Sequence, residues 1–389
     1  FNGLLAFDIL QGEFVMFTPP EVVGGTGTPY ILAMVFSFLG SSAMTFRLVS
    51  FIWSALYILS TGWLAQLAYG KRVGLLALSF AAFAPPYMQF VGMKLWSSYI
   101  ETILLGNLLL IATYYLLHSM TTRRTIFWMM VMGLVAGVMF WLTWLGFYYY
   151  LPIAIVLMWK KRGIVLRWGW VGGLTCILGS LPFWIFNIPR GMPTFERLAT
   201  DAPMTIPQIL DVLLDFAVVR FPILVSGHSS WEYAVPWLAV VMAMIYVLGL
   251  GFILRRAISQ QPLQIMLALF IFSVPIIYSI SAHSRNALPE FNPWGIDATG
   301  RYLLMLHTVL PIGIALLAHH LWQWKRWIGI SCAGVIIAIN TIGTLTINPE
   351  RAFDSPYYDR LPRDLSPLID FLDERDIRHL WVDGGIGHV

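Results

Sequence analysis

Residues 46–86 read FRLVSFIWSALYILSTGWLAQLAYGKRVGLLALSFAAFAPP. From Met44 to Tyr69 the run is apolar, with Arg47 near its start as the one charge. About 20 apolar residues suffice for a helix to cross the hydrocarbon of a bilayer, and only helices or closed barrels satisfy the backbone there. Lys71-Arg72 then interrupts, and a second apolar run extends over 73–91. Pro85-Pro86 is expected to bend or end that helix near one face, because proline lacks the N–H and clashes with the preceding turn. Two apolar runs joined by a basic turn predict a helical hairpin through a membrane.

The same reading extends to ten intervals: 44–69, 73–91, 98–118, 125–143, 147–160, 168–187, 235–254, 263–281, 302–322 and 327–346. They are continuous apolar runs, not the alternating pattern of a membrane barrel. The fifth is short and fits a half-length helix or the return arm of a kinked hairpin. Composition agrees. Of 389 residues 58% are hydrophobic and 11% charged, with 17 Trp and 16 Tyr and a mean hydropathy of +0.73. Soluble domains carry roughly 25% charge, so a water-soluble enzyme is excluded. The expected fold is an all-α polytopic membrane bundle of about ten transmembrane helices, with outward loops and the start of a C-terminal α/β domain. Because the chain begins with Phe1 and stops inside a patterned segment, it reads as a fragment whose first helix is missing.

Charge orients the bundle. Lys71-Arg72, Arg123-Arg124, Lys160-Lys161-Arg162, Arg255-Arg256 and Lys325-Arg326 fall in every second connection. With Arg167 these account for twelve of the 24 Lys and Arg and for none of the Asp and Glu. The positive-inside rule makes them cytoplasmic. The net charge of +4 therefore marks basic loops and not nucleic-acid binding. Five regions follow: an outward N-terminal segment with interfacial helices (1–43), transmembrane helices (44–187), an outward loop (188–234), further transmembrane helices (235–346), and the outward C-terminal start of an α/β domain (347–389). In the 188–234 loop, TIPQILDVLLDF offers Thr205 as a cap and Pro207 in a first turn. Gln208, Asp211 and Asp215 share one stripe of an amphipathic helix suited to the membrane surface. In the tail, Leu365, Leu368, Ile369 and Leu372 repeat at helical spacing, and HLWVDGG reads as a strand.

Outward polar residues are where chemistry is expected. The set comprises Asp8, Glu13, Glu21, Lys94, Glu101, His228, Glu232, His283, Arg285, Glu290, Asp297 and Arg301. Loops collect charge in any membrane protein, and three residues depart from that pattern. Glu101 lies one turn inside an apolar helix, where a carboxylate costs up to ~2.5–3.5 kcal/mol at the bilayer centre and less near the interface. Arg301 opens the helix RYLLMLHTVLPIG and can fork onto a lipid phosphate. Asp8 interrupts the apolar run LLAFDILQGEF. His118, His319 and His320 sit near inward helix ends, and the outward His228 and His283 belong to no His-x-x-x-His pattern. Cys176 and Cys332 lie in apolar runs as small hydrophobes, without a disulfide framework or zinc spacing. No phosphate-loop, dinucleotide or serine-nucleophile pattern occurs.

Several stretches resemble the polytopic C-type (GT-C) membrane glycosyltransferases, in the bacterial branch related to the protein O-mannosyltransferases and the lipid A aminoarabinose transferase. They are LAFDILQGEF with VGGTGTPYILAMVFSFLG and FRLVS, then YGKRVGLLALSFAAFAPP, KLWSSYIETILLGNLLL, GRYLLMLHTVLPIGIALLA and DFLDERDIRHLWVD. The resemblance implies transfer of a sugar from a polyprenyl-phosphate donor to a lipid, glycan or protein acceptor, on the outer face of the inner (plasma) membrane. It implies an acidic base for the acceptor and a cationic group for the leaving phosphate. The family's catalytic Asp, in an Asp-Glu pair, falls before Phe1 in this alignment. Asp8 and Glu101 are then supporting carboxylates, and Lys94 and Arg301 the phosphate-binding candidates. No cofactor is expected, and a divalent metal is left open. A multi-span transporter or a non-catalytic assembly protein is the alternative. A transporter calls for charge or broken helices at the midplane and for repeats, whereas the carboxylates here gather at the outer edge.

Overall fold

The structure, a computed structural model, describes residues 2–17, 24–94, 98–199, 204–226, 236–259, 261–281, 284, 301–346, 370–371 and 374–375. In chain order the helices are α1 (Asn2–Leu10), α2 (Gly27–Leu39), α3 (Ala43–Tyr69), α4 (Lys71–Ala82), α5 (Pro86–Lys94), α6 (Tyr99–Leu117), α7 (Thr122–Leu142), α8 (Phe147–Lys160) and α9 (Arg162–Gly179). There follow α10 (Leu181–Asn187), α11 (Pro193–Ala199), α12 (Ile206–Asp215), α13 (Phe221–Val225), α14 (Pro236–Ala257), α15 (Pro262–Ile280), α16 (Leu310–Trp324) and α17 (Arg326–Leu345). A 3-10 segment, Arg301–Thr308, precedes α16. Among the described residues the sole β pairing is an isolated antiparallel bridge, Phe17 to Gly25.

All ten apolar intervals are helical, but not all cross a membrane alone. Among the described residues six helices are long and apolar enough, or up to eight if each of two bent pairs forms one span. The pairs are 162–179 with 181–190, bent by 62°, and 301–308 with 310–324, bent by 42°. The interval 73–91 is broken: α4 stops at Ala82 and α5 restarts on Pro86. Proline there caps a new first turn because its missing N–H would be unsatisfied anyway. α8, with 14 residues, reaches about 21 Å, short of a ~30 Å hydrocarbon core. Of the about ten transmembrane helices expected, six to eight meet that length and apolarity among the described residues, and the fifth is short, as its sequence suggests. The strand and most of the helix expected in 347–389 lie outside the described residues.

Packing follows side-chain size. α6 is central, with 78% of its apolar window inside the molecule, and α17 is peripheral at 22%. The main core joins α6 to α3, α4, α8, α14, α15, α16 and the 301–308 segment. Burial therefore separates the helices that face protein from those that face lipid. α7 and α9 touch backbone to backbone. A Cβ on Gly137 would come 2.1 Å from the Cys176 carbonyl oxygen, and one on Gly133 2.2 Å from that of Gly172. Small residues permit this approach, which dispersion and not the hydrophobic effect rewards in lipid. A second, smaller core of Ala6, Leu32, Ala33, Phe36 and Val49 holds α1 and α2 on α3.

The two ends of the bundle differ. At one, the Gln264 amide donates to the Ala68 carbonyl at 2.8 Å, and the Phe252 ring meets His320 at 4.9 Å. Arg72 and Arg256 both act electrostatically on His319. Connections near 70, 260 and 320 therefore share a face, as charge alternation requires of them. α12 forms as expected, with Pro207 in its first turn and Gln208 Oε1 accepting from the Thr205 N–H at 2.9 Å.

Candidate functional site

Glu101 occupies the first turn of α6 at the opposite end and is buried, 3% exposed. The Thr28 hydroxyl, in the first turn of α2, donates to Glu101 Oε1. Both side chains are positioned by the turns before their helices. Ser98, ahead of α6, is left-handed with φ 58°, an unusual conformation for a residue other than glycine, and its carbonyl accepts from the Thr102 hydroxyl at 2.6 Å. Ahead of α2, the Gly25 N–H donates to the Leu142 carbonyl at 3.2 Å, and the Trp141 indole to that of Met16 at 3.0 Å. A Cβ on Gly25 would lie 2.6 Å from the Trp141 carbonyl oxygen. The glycines of VGGTGT thus let this segment press onto the end of α7 and present Thr28 to α6.

Arg301 stands at the same end. It is half-buried, its Nη2 donates to the Tyr302 hydroxyl at 3.1 Å, and its guanidinium lies 5.0 Å from the Tyr302 ring centre. Tyr302 in turn meets the edge of Tyr99, two residues before Glu101, at 6.4 Å. The structure therefore brings Glu101, Thr28, Tyr99, Tyr302 and Arg301 into one neighbourhood from three separate elements. Among the described residues no ion pair joins Glu101 to Arg301; the pair that does form is Asp215 with Arg220, across a π-helical turn after α12.

Asp8 is placed differently. It is half-buried on α1, which runs antiparallel to α2 with Phe7 beside Phe36 and Phe14 beside Tyr30. That register puts Asp8 near the middle of α2, away from Thr28 and Glu101. Lys94 closes α5, and its side chain lies outside the described residues. So do Glu21, His228, Glu232, His283, Arg285, Glu290 and Asp297.

Sequence reading missed Thr28 as the partner of Glu101, since 73 residues separate them. It also passed over His307, which is fully buried with neither ring nitrogen hydrogen-bonded among the described residues. Its neighbour Thr308 pairs with the Tyr149 hydroxyl at 2.7 Å. Asn107, fully buried in mid-α6, donates to Ser60 and Thr61 of α3 at 3.0 Å each. The signal for both was a polar residue inside an apolar interval. Among the described residues no three His, Cys, Asp or Glu gather as a metal cage.

Residues 25–186 match the family model described as dolichyl-phosphate-mannose-protein mannosyltransferase. Over that stretch the chain is similar to the dolichyl-phosphate-mannose-protein mannosyltransferases. The matched stretch holds both Thr28 and Glu101. The fold is shared with the archaeal oligosaccharyltransferase AglB from Archaeoglobus fulgidus, in complex with an inhibitory peptide and a dolichol-phosphate, at 13% identity and a TM-score of 0.57. It is likewise shared with ArnT from Cupriavidus metallidurans, bound to undecaprenyl phosphate, at 14% identity and a TM-score of 0.56. These alignments take in 99% and 92% of this chain but 56% and 62% of AglB and ArnT. The chain thus spans little more than half the length of these relatives. No curated protein matches it. A multi-pass helical membrane protein related to the mannosyltransferases and ArnT is what the sequence led us to expect.

Proposed function

We propose that this chain forms the membrane part of a glycosyltransferase that moves a sugar from a polyprenyl-phosphate donor to an acceptor hydroxyl or amide on the outer face of the plasma membrane. The observation that carries the reading is Glu101: a carboxylate buried at one end of a bundle of this fold, held by Thr28 and neighboured by Arg301. In the reaction the acceptor atom bonds to the anomeric carbon as the bond to the lipid phosphate breaks, and the acceptor's proton passes to a base. The leaving phosphate is already a stable anion, so it needs cationic stabilisation more than protonation. Arg301 fits that need, with a fixed charge and a planar fork that can meet two phosphate oxygens. Lys94 is assigned the assisting contact and Glu101 the part of a supporting carboxylate, a part that Asp8, on α1 away from Thr28, does not share. Burial gives Glu101 a site shielded from bulk water, where electrostatic effects are stronger. The charge alternation supports an outward site, since the basic connections lie at the end opposite Glu101.

The test is transfer from a radiolabelled polyprenyl-phosphate sugar, with the complete protein reconstituted in vesicles. Wild type is expected to transfer, and Glu101→Gln and Arg301→Ala to lose most turnover at equal folded amount. Wild-type rates in both variants would overturn the site.

A further inference from the structure

A cavity of about 420 Å³ opens where α1, α2 and α3 meet, at the far end of α2 from Glu101. Phe7, Phe36 and Phe46 form its apolar wall, and Ser41, Ser42 and Arg47 its polar rim. Arg47 is the sole charge among the lining residues, and it makes no ion pair or hydrogen bond among the described residues. The cavity is therefore amphipathic: hydrocarbon on one side, a fixed cation and hydroxyls on the other.

Its depth in the membrane follows from its neighbours. Arg47 lies in the second turn of α3, a 27-residue apolar helix, so it stands near that helix's membrane boundary. Around it Phe38, Met44 and Phe51 are 80%, 77% and 77% exposed. Large apolar side chains so exposed on a multi-pass protein face lipid. From Thr28 to Phe36, α2 rises roughly 12 Å at 1.5 Å per residue, which separates the cavity from the Glu101 site.

We propose that this cavity binds an anionic bilayer phospholipid, whose phosphate is gripped by Arg47 and whose upper acyl chain lies on Phe7, Phe36 and Phe46. An arginine matches two phosphate oxygens at once, and a net-negative headgroup brings no cation of its own to compete. No lining residue is a carboxylate that could take an acceptor's proton, so the occupant is a structural lipid and not the sugar donor. Such a lipid spans α1 and α3. It steadies the α1–α2 pair, whose small core is separate from the main one. The same pair carries Thr28.

Native mass spectrometry of the full chain in detergent tests this, titrated separately with phosphatidylglycerol, phosphatidylcholine, polyprenyl phosphate and inorganic phosphate. Phosphatidylglycerol is expected to bind wild type most tightly. Arg47→Ala should weaken it about tenfold, the loss of one charge-assisted contact. Arg47→Lys should weaken it less, and Ser41→Phe, which fills the rim, should also weaken it. Arg326→Ala, at a distant basic connection, should leave it unchanged. Thermal unfolding confirms that each variant is folded, and the lysine and rim variants read the cavity if the alanine variant fails to fold. Equal phosphatidylglycerol binding by wild type and all cavity variants would overturn the proposal. Tighter binding of polyprenyl phosphate with the same Arg47 dependence would give the cavity to the donor, and equally tight inorganic phosphate would make it a free-anion site; either also overturns it. The readout is binding, so its failure is distinct from failure of the transfer assay.

Discussion

Glu101 was legible from one fact, a carboxylate one turn inside an apolar helix. What holds it was not, because Thr28 reaches it only once α2 folds beside α6. Removing that hydroxyl should misplace the carboxylate without emptying the site. Thr28→Val is expected to lower turnover about tenfold, the weight of a hydrogen bond to a charged group at roughly 1.4 kcal/mol per tenfold. Thr28→Ser should restore it. A structural role alone would lower protein stability instead, so turnover and thermal unfolding are measured together. Arg301 offers a sharper contrast. If its fork grips phosphate, Arg301→Ala should slow transfer by about one to two orders of magnitude, and Arg301→Lys should recover part of it. Full recovery with lysine would show that a point charge at the boundary is enough, and would remove the bidentate role.

At the scale of elements, the close α7–α9 crossing makes a prediction that hydropathy could not. Gly137 and Gly173 both lie in this helix pair, and both read simply as small residues in apolar runs. Only packing tells them apart: a Cβ on Gly137 would meet the Cys176 carbonyl at 2.1 Å, whereas nothing lies within 4 Å of one on Gly173. Gly137→Ala should destabilise by about 1–3 kcal/mol through overpacking, and Gly173→Ala should be neutral. Thermal unfolding in detergent checks both. Equal behaviour would mean the helices can part without cost. The break at Pro85-Pro86 was readable, since proline acts on its own helix. The 62° bend after Gly179 was not: Ser180 and Pro182 invite a new first turn, but how sharply it departs depends on α7 packed beside it.

For the whole molecule, the charge alternation predicts sidedness. In a background lacking Cys176 and Cys332, a cysteine at Asp211 should react with an impermeant reagent added outside intact cells, and one at Lys325 should not. Labelling at 325 from outside would invert or break the order of helices. The sequence by itself determined that the chain is a helical membrane bundle, where most helices begin and end, and which connections share a side. Those properties rest on transfer of each segment between water and hydrocarbon and on charge next to its own helix, so each is local. Tertiary structure decided which apolar runs span alone, which helix is central, and which polar residues meet. It joined Glu101 to Thr28 and placed Arg301 by way of two tyrosines, while leaving Asp8 on α1, beside another part of α2. In lipid, apolar surface is equally content against a neighbour or an acyl chain, so periodicity does not name a helix's partners; close fit and buried hydrogen bonds do, and these exist only between segments far apart in the chain.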